Sequence, residues 1–245
     1  MGADELLDCA AADARSLLAA AGTRWDLPVP HCPEWDVAEL VRHQGSIFAW
    51  MAAIVTGRQR VSRPGMAPAP ASPADLPDWY LGNLDLALEV LGSADPESAT
   101  WTFSSTGDQR VAWWQRRLAV EVGIHRFDVQ HAVAVDGSQP APLDGGVAAA
   151  GIGEFVIEFL PGLLAQAAST DLHGTLHLHA TDGPAEWSIN LDAGGVAEPR
   201  HANADTAIRG TRSDLLLWLT NRAPADSLEV FGRPELAASW KQLRR

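Results

Sequence analysis

Glu121 and His125 stand four residues apart in the stretch Val120-Glu121-Val122-Gly123-Ile124-His125-Arg126-Phe127-Asp128. Steps of three and four residues from Trp114 and Leu118 reach Glu121, His125 and Asp128, so in a helix these polar side chains continue an apolar stripe. An inward carboxylate is costly unless something neutralises it, because an unpaired buried ion loses several kcal/mol of solvation. A divalent cation would supply the missing charge, and side chains at i and i+4 lie about 40° apart around a helix, close enough to share one ion. The competing reading is a structural hydrogen bond in which Glu121 and His125 satisfy only each other.

A third donor bears on that choice. In Trp35-Asp36-Val37-Ala38-Glu39-Leu40 an Asp-x-x-Glu capping box opens another helix, with Trp35 placed to staple onto Leu40. Leu40, Ile47 and Trp50 define the apolar face of that helix, and His43 falls on it. Two imidazoles and one carboxylate on facing helices make a three-ligand set with a fourth position open, the pattern of catalytic zinc. Nickel or iron would also accept these donors. A thiol in the open position becomes a thiolate near neutral pH, a strong nucleophile that needs no protein cysteine. It can attack an electrophilic carbon and then either displace a leaving group, as an S-transferase, or be eliminated after bond rotation, as a cis-trans isomerase. Asp128, one turn beyond His125, is placed to orient a ligand; a surface salt bridge with a nearby arginine is the alternative.

Cys32-Pro33-Glu34-Trp35-Asp36-Val37, His43 and the Glu121 to Asp128 stretch together resemble the mycothiol-dependent maleylpyruvate isomerase family. The resemblance covers nearly the whole chain, because Ala207-Ile208-Arg209-Gly210-Thr211-Arg212-Ser213-Asp214-Leu215-Leu216 is similar to that family's C-terminal domain. It implies a DinB-like metal-binding helix bundle, a small C-terminal α/β domain, and metal ligands that fall on His43, Glu121 and His125. It also implies mycothiol, a sugar-linked thiol of actinobacteria, as cosubstrate, and an active-site arginine from the C-terminal domain. Arg222 is the first choice for that arginine, with Arg209 and Arg212 as competitors. The expected activity is zinc-dependent transfer of mycothiol to a small electrophile, with mycothiol-dependent maleylpyruvate cis-trans isomerisation as the alternative. A non-catalytic metal- or ligand-binding protein is a second alternative, since the family's C-terminal domain resembles sterol-carrier-like folds.

The elements that must position these residues come from an ordinary globular composition. With 245 residues, 47% of them hydrophobic and 20% charged, the chain has room for two modest cores. The 31 acidic residues against 18 basic ones leave a charge of -13, which opposes nucleic-acid phosphates and anionic lipid, so the expected partners are a small thiol and a small electrophile. Two cysteines cannot build a disulfide framework and suit a reducing compartment. Cys32, ahead of Pro33 and Trp35, reads as packing at a helix start more than as a redox or metal thiol. Asp4, Glu5 and Asp8 replace a basic leader, and no apolar run approaches membrane-spanning length, so a cytoplasmic protein is expected.

In chain order, Leu6, Ala10, Ala14 and Leu17 give a helix from Asp4 to Ala21, with Asp13 beside the stripe. The His43 helix runs to about Val55, and an Ala/Pro-rich connector that includes Pro64 and Pro77 follows. Helices are expected over Asp78–Leu91, Asp108–Val133 and Val147–Ala167, the last kinked at Pro161. Trp101 and Phe103 should cover the end of the bundle, with a pocket lining as the alternative, and Arg116 and Arg117 should be solvated, with contact to substrate as the alternative. After Ser169, Leu172, Leu176 and Leu178 alternate with His173, His177 and His179, the period of a half-buried strand. The three histidines are expected to meet solvent or a covering layer, with a metal site as the alternative. Further elements are a strand at Trp187–Leu191, a helix at Ser213–Asn221 opened by a Thr211/Asp214 capping box, and a strand at Ser227–Gly232. A last helix runs from Pro234 past Lys241 to Arg244 and Arg245. The fold class is thus α + α/β in two domains. An up-and-down, DinB-like four-helix bundle with an extra helix spans 1–168, and a small sterol-carrier-like α/β domain spans 169–245.

Overall fold

Asp36 Oδ1 accepts the backbone N–H of Glu39 at 2.8 Å and Glu39 Oε2 accepts that of Asp36 at 3.1 Å, so helix α2 begins at its capping box. The computed structural model describes residues 1–63, 66–134, 137–166 and 172–243; Pro64, Ala168, Arg244 and Arg245 lie outside them. Two compact units result, Met1–Leu143 and Asp144–Arg245.

The first unit is a four-helix bundle of α1 (Ala3–Ala21), α2 (Val37–Gly57), α3 (Leu76–Ser93) and α4 (Val111–Val133). Helix α1 packs along α4 and α2 along α3, with further contacts from α1 to α3 and from α2 to α4. Leu17, Leu40, Phe48, Leu84 and Trp114 are fully buried between them, and each such side chain contributes about 1.5–3 kcal/mol. Asp13, beside the stripe of α1, meets Arg126 of α4, whose Nε lies 2.9 Å from Asp13 Oδ1. Helix α3 starts ahead of the expected Asp78, because Pro77 sits in the first turn, where its missing N–H is not needed. Helix α4 starts later than Asp108, because a β-bridge between Ala99 and Arg110 keeps the chain extended up to that point. Trp101 and Phe103 pack with Trp50, Trp113 and Trp114 in one aromatic cluster.

In the second unit α5 (Gly145–Glu154) passes through a π-helical turn, Phe155–Phe159, into α6 (Leu160–Gln166). The wide turn stands where the ring of Pro161 would otherwise collide with the carbonyl four residues earlier. Contrary to expectation, this run of 22 residues is long and apolar enough by length and composition to cross a membrane. Here α5 packs against α7 (Arg212–Leu219), and Val147, Ile152, Phe155 and Leu160 are buried. That packing is why the units divide between Leu143 and Asp144 and not near Ala168: the extra helix goes with the second unit.

The five strands β1 (Thr175–Ala180), β2 (Glu186–Asn190), β3 (Val196–Glu198), β4 (Thr206–Gly210) and β5 (Glu229–Gly232) form one sheet in the order β3-β2-β1-β4-β5. Only β1 and β4 pair in parallel. Leu176, Leu178, Ile189 and Ile208 are buried, and α7 packs on β1 and β4 while α8 (Pro234–Ser239) packs on β4 and β5. Thr211 Oγ1 caps α7 by accepting the Asp214 N–H at 3.1 Å.

Candidate metal centre

One-turn spacing on α4 stacks Glu121 and His125, and the capped start of α2 sets His43 across from them. Glu121 Oε1 lies 3.1 Å from His43 Nε2 and 3.3 Å from His125 Nε2. The three ligand atoms are within 4.8 Å of one another, and the imidazoles stand edge to face with centroids 5.4 Å apart. All three side chains are at least four-fifths buried.

His125 is held from its other side. Its Nδ1 is 2.9 Å from Oδ2 of Asp128, which is fully buried, so the surface alternative for Asp128 does not apply. A carboxylate only accepts, so Nδ1 carries a proton; in the neutral ring Nε2 then holds a lone pair toward Glu121 Oε1, and in the charged ring it donates to that oxygen instead. Cys32 Sγ, 4.0 Å from the same Asp128 oxygen, makes a further trio with His125 and Asp128.

Burial, then the charges of His125, Arg63 and Arg117, holds the His43 pKa down to about 3. It is therefore the neutral, ligand form of imidazole in the ordinary pH range. The ring of Trp35, expected to staple onto Leu40, lies 4.6 Å from that of His43 and 6.3 Å from that of His125, measured between centroids.

Two arginines near this cluster went unrecognised in the sequence. Arg117, one turn before Glu121 on α4, is buried, not solvated, and its guanidinium binds Glu121 Oε2. Its i, i+4 spacing to Glu121 was the available signal. This ion pair already neutralises the carboxylate, so the case for a cation rests on the converging donors instead of on uncompensated charge. Arg63, from the Ala/Pro-rich connector, lies over the Trp50 ring at 5.6 Å, and partial burial lowers its pKa. No motif marks it.

Arg222 belongs to the second unit, just past α7, where its Nη1 donates to Thr220 O at 2.9 Å. Its competitors are engaged by carboxylates, Arg209 by Glu229 at 3.2 Å and Arg212 by Asp182 at 3.2 Å.

A four-helix bundle with an inward His/Glu/His set, followed by a mixed-sheet unit, defines the class of protein. Residues 7–130 match the model of the mycothiol maleylpyruvate isomerase N-terminal domain, and residues 147–239 match that of the MDMPI C-terminal domain. The chain belongs to the mycothiol maleylpyruvate isomerase family, a family that includes an enzyme of known structure. The crystal structure of the mycothiol-dependent maleylpyruvate isomerase superposes with a TM-score of 0.60 at 12% identity, covering 94% of this chain and 93% of that one. A histidine-to-alanine mutant of that isomerase gives the same figures. At this identity the likeness is one of fold. No curated protein gives a significant match.

Proposed function

We propose that this chain is a mycothiol-dependent maleylpyruvate cis-trans isomerase of the cytoplasm, and that His43, Glu121 and His125 hold a divalent cation, zinc first among the candidates. The observation that carries the site is the convergence of two imidazole nitrogens and one carboxylate oxygen within 4.8 Å. The S-transferase expected first from the sequence yields to the isomerase, because the donor set specifies a thiolate and leaves the electrophile open, whereas the family is described by its isomerase activity.

A cation held there would lower the pKa of a bound thiol, so that thiolate would be present near neutral pH. Isomerisation then requires only that thiolate add reversibly to the cis double bond, placing the electron pair on the conjugated carbonyl oxygen. The resulting single bond rotates, and the same thiolate leaves as the trans double bond forms, so the thiol is recovered. The protein's own contributions are distinct. His43 offers an unprotonated nitrogen, Asp128 fixes the tautomer and orientation of His125, and Arg117 occupies one oxygen of Glu121 so that the other serves as a single donor. Trp35 walls the imidazoles. Arg63, whose charge acts on His43, is the cation of the first unit assigned to a substrate carboxylate.

The test is to follow maleylpyruvate with the purified chain and mycothiol by proton NMR of the vinyl protons. Catalytic conversion to the trans isomer with the thiol pool unchanged is expected. Stoichiometric loss of thiol into a stable thioether would instead establish a transferase.

A further inference from the structure

The second unit carries another convergence of donors. His177 and His179 alternate with Leu176 and Leu178 in β1, which puts the histidines on the face opposite the leucines. Antiparallel pairing sets His179 directly across from Glu186 at the start of β2, with His177 across from Ser188 on the same face. His201, in the segment after β3, comes back over this strand pair. Glu186 Oε1 lies 3.0 Å from His179 Nδ1, while Oε2 lies 3.2 Å from His177 Nε2 and 2.7 Å from His201 Nδ1. The His201 ring covers that of His177 edge to face at 4.9 Å, and the His177 side chain is only 5% exposed.

We propose that His177, His179, Glu186 and His201 form a second metal site, separate from that of the bundle, which takes a borderline divalent transition ion such as zinc. Three of the chain's eight histidines surround one carboxylate here. Zinc at about 2.0–2.1 Å from each donor separates its ligand atoms by roughly 3.3 Å in a tetrahedron. The nitrogen-to-oxygen distances already fall between 2.7 and 3.2 Å, and all four ligand atoms lie within 4.8 Å of one another. Three nitrogens and one oxygen suit zinc, copper or nickel, whereas magnesium and calcium call for oxygen donors. Four protein ligands leave no open position, so this site is structural: it ties the segment after β3 to the β1–β2 hairpin.

The test uses the full chain with the substitutions His43→Ala and Glu121→Gln, which disable the donor set in the bundle. Calorimetric titration with zinc chloride should still show about one equivalent bound, and adding His201→Ala or His179→Ala should each weaken it at least tenfold. His173→Ala, just ahead of β1 and paired with Asp192, should leave it unchanged. His201 is exposed, so its removal should not unfold the sheet, which circular dichroism checks. In the otherwise unaltered chain His201→Ala should lower zinc uptake by one equivalent. No uptake by the doubly substituted chain, or uptake that survives His201→Ala or His179→Ala undiminished, overturns the proposal.

Discussion

His43 stays neutral because charging it would place a cation in a buried site that already faces Arg63 and Arg117. Its pKa falls from 6.5 to about 3 on folding, so between these values the unfolded chain binds a proton that the folded chain does not. Stability therefore rises with pH across this window, by up to about 1.4 kcal/mol per pH unit; it is fully present above 6.5 and lost as pH falls toward 3. Urea denaturation of metal-free protein across this range should show that slope, and His43→Asn should flatten it. Arg117 is the other residue with a direct energetic consequence. Removing it as Arg117→Leu strands a buried carboxylate and should cost the metal-free protein about 3–5 kcal/mol. Zinc should restore part of that loss by binding the folded state, which denaturation with and without the ion measures. If zinc gives Arg117→Leu no recovery, Glu121 is not a ligand.

At the scale of elements, the readable parts were those set by local pattern. The capping box fixed the start of α2, and with it the face on which His43 lies; the stripe from Trp114 fixed Glu121, His125 and Asp128 on α4. Local pattern does not say what lies opposite a face, which is why Arg117 read as solvated and why the helix from Gly145 was assigned to the bundle although it packs on α7. Strands β3 and β4 were missed because three and five residues with one large apolar side chain each carry no alternation. Close approach between helices is equally silent. A Cβ on Gly45, two residues after His43, would run into the Trp79 ring of α3. Gly45→Ala should therefore destabilise the bundle by about 1–3 kcal/mol, despite the better helix propensity of alanine, and weaken metal binding at His43. Thermal unfolding and a chelator competition would check the pair of effects; a stabilised Gly45→Ala would mean that α2 and α3 do not meet there.

Across the whole chain, the two units divide the chemistry by the number of donors each brings together. In the proposed sites the bundle would supply three ligands and leave a position for a thiol, whereas the sheet would supply four and close. A net charge of -13 sets both among surfaces that repel polyanions, consistent with a small-molecule substrate drawn to local arginines. The electrophile was not legible in the sequence because no spacing specifies it, and the donors of the bundle do not specify it either. The most direct measurement is metal content of the wild type beside Glu121→Ala, with mycothiol titrated into each. The predicted result is one equivalent less metal in Glu121→Ala and loss of thiol binding with it. Equal metal in both proteins, or mycothiol binding that persists in Glu121→Ala, would contradict a metal-held thiolate and leave Glu121 as the buried partner of Arg117.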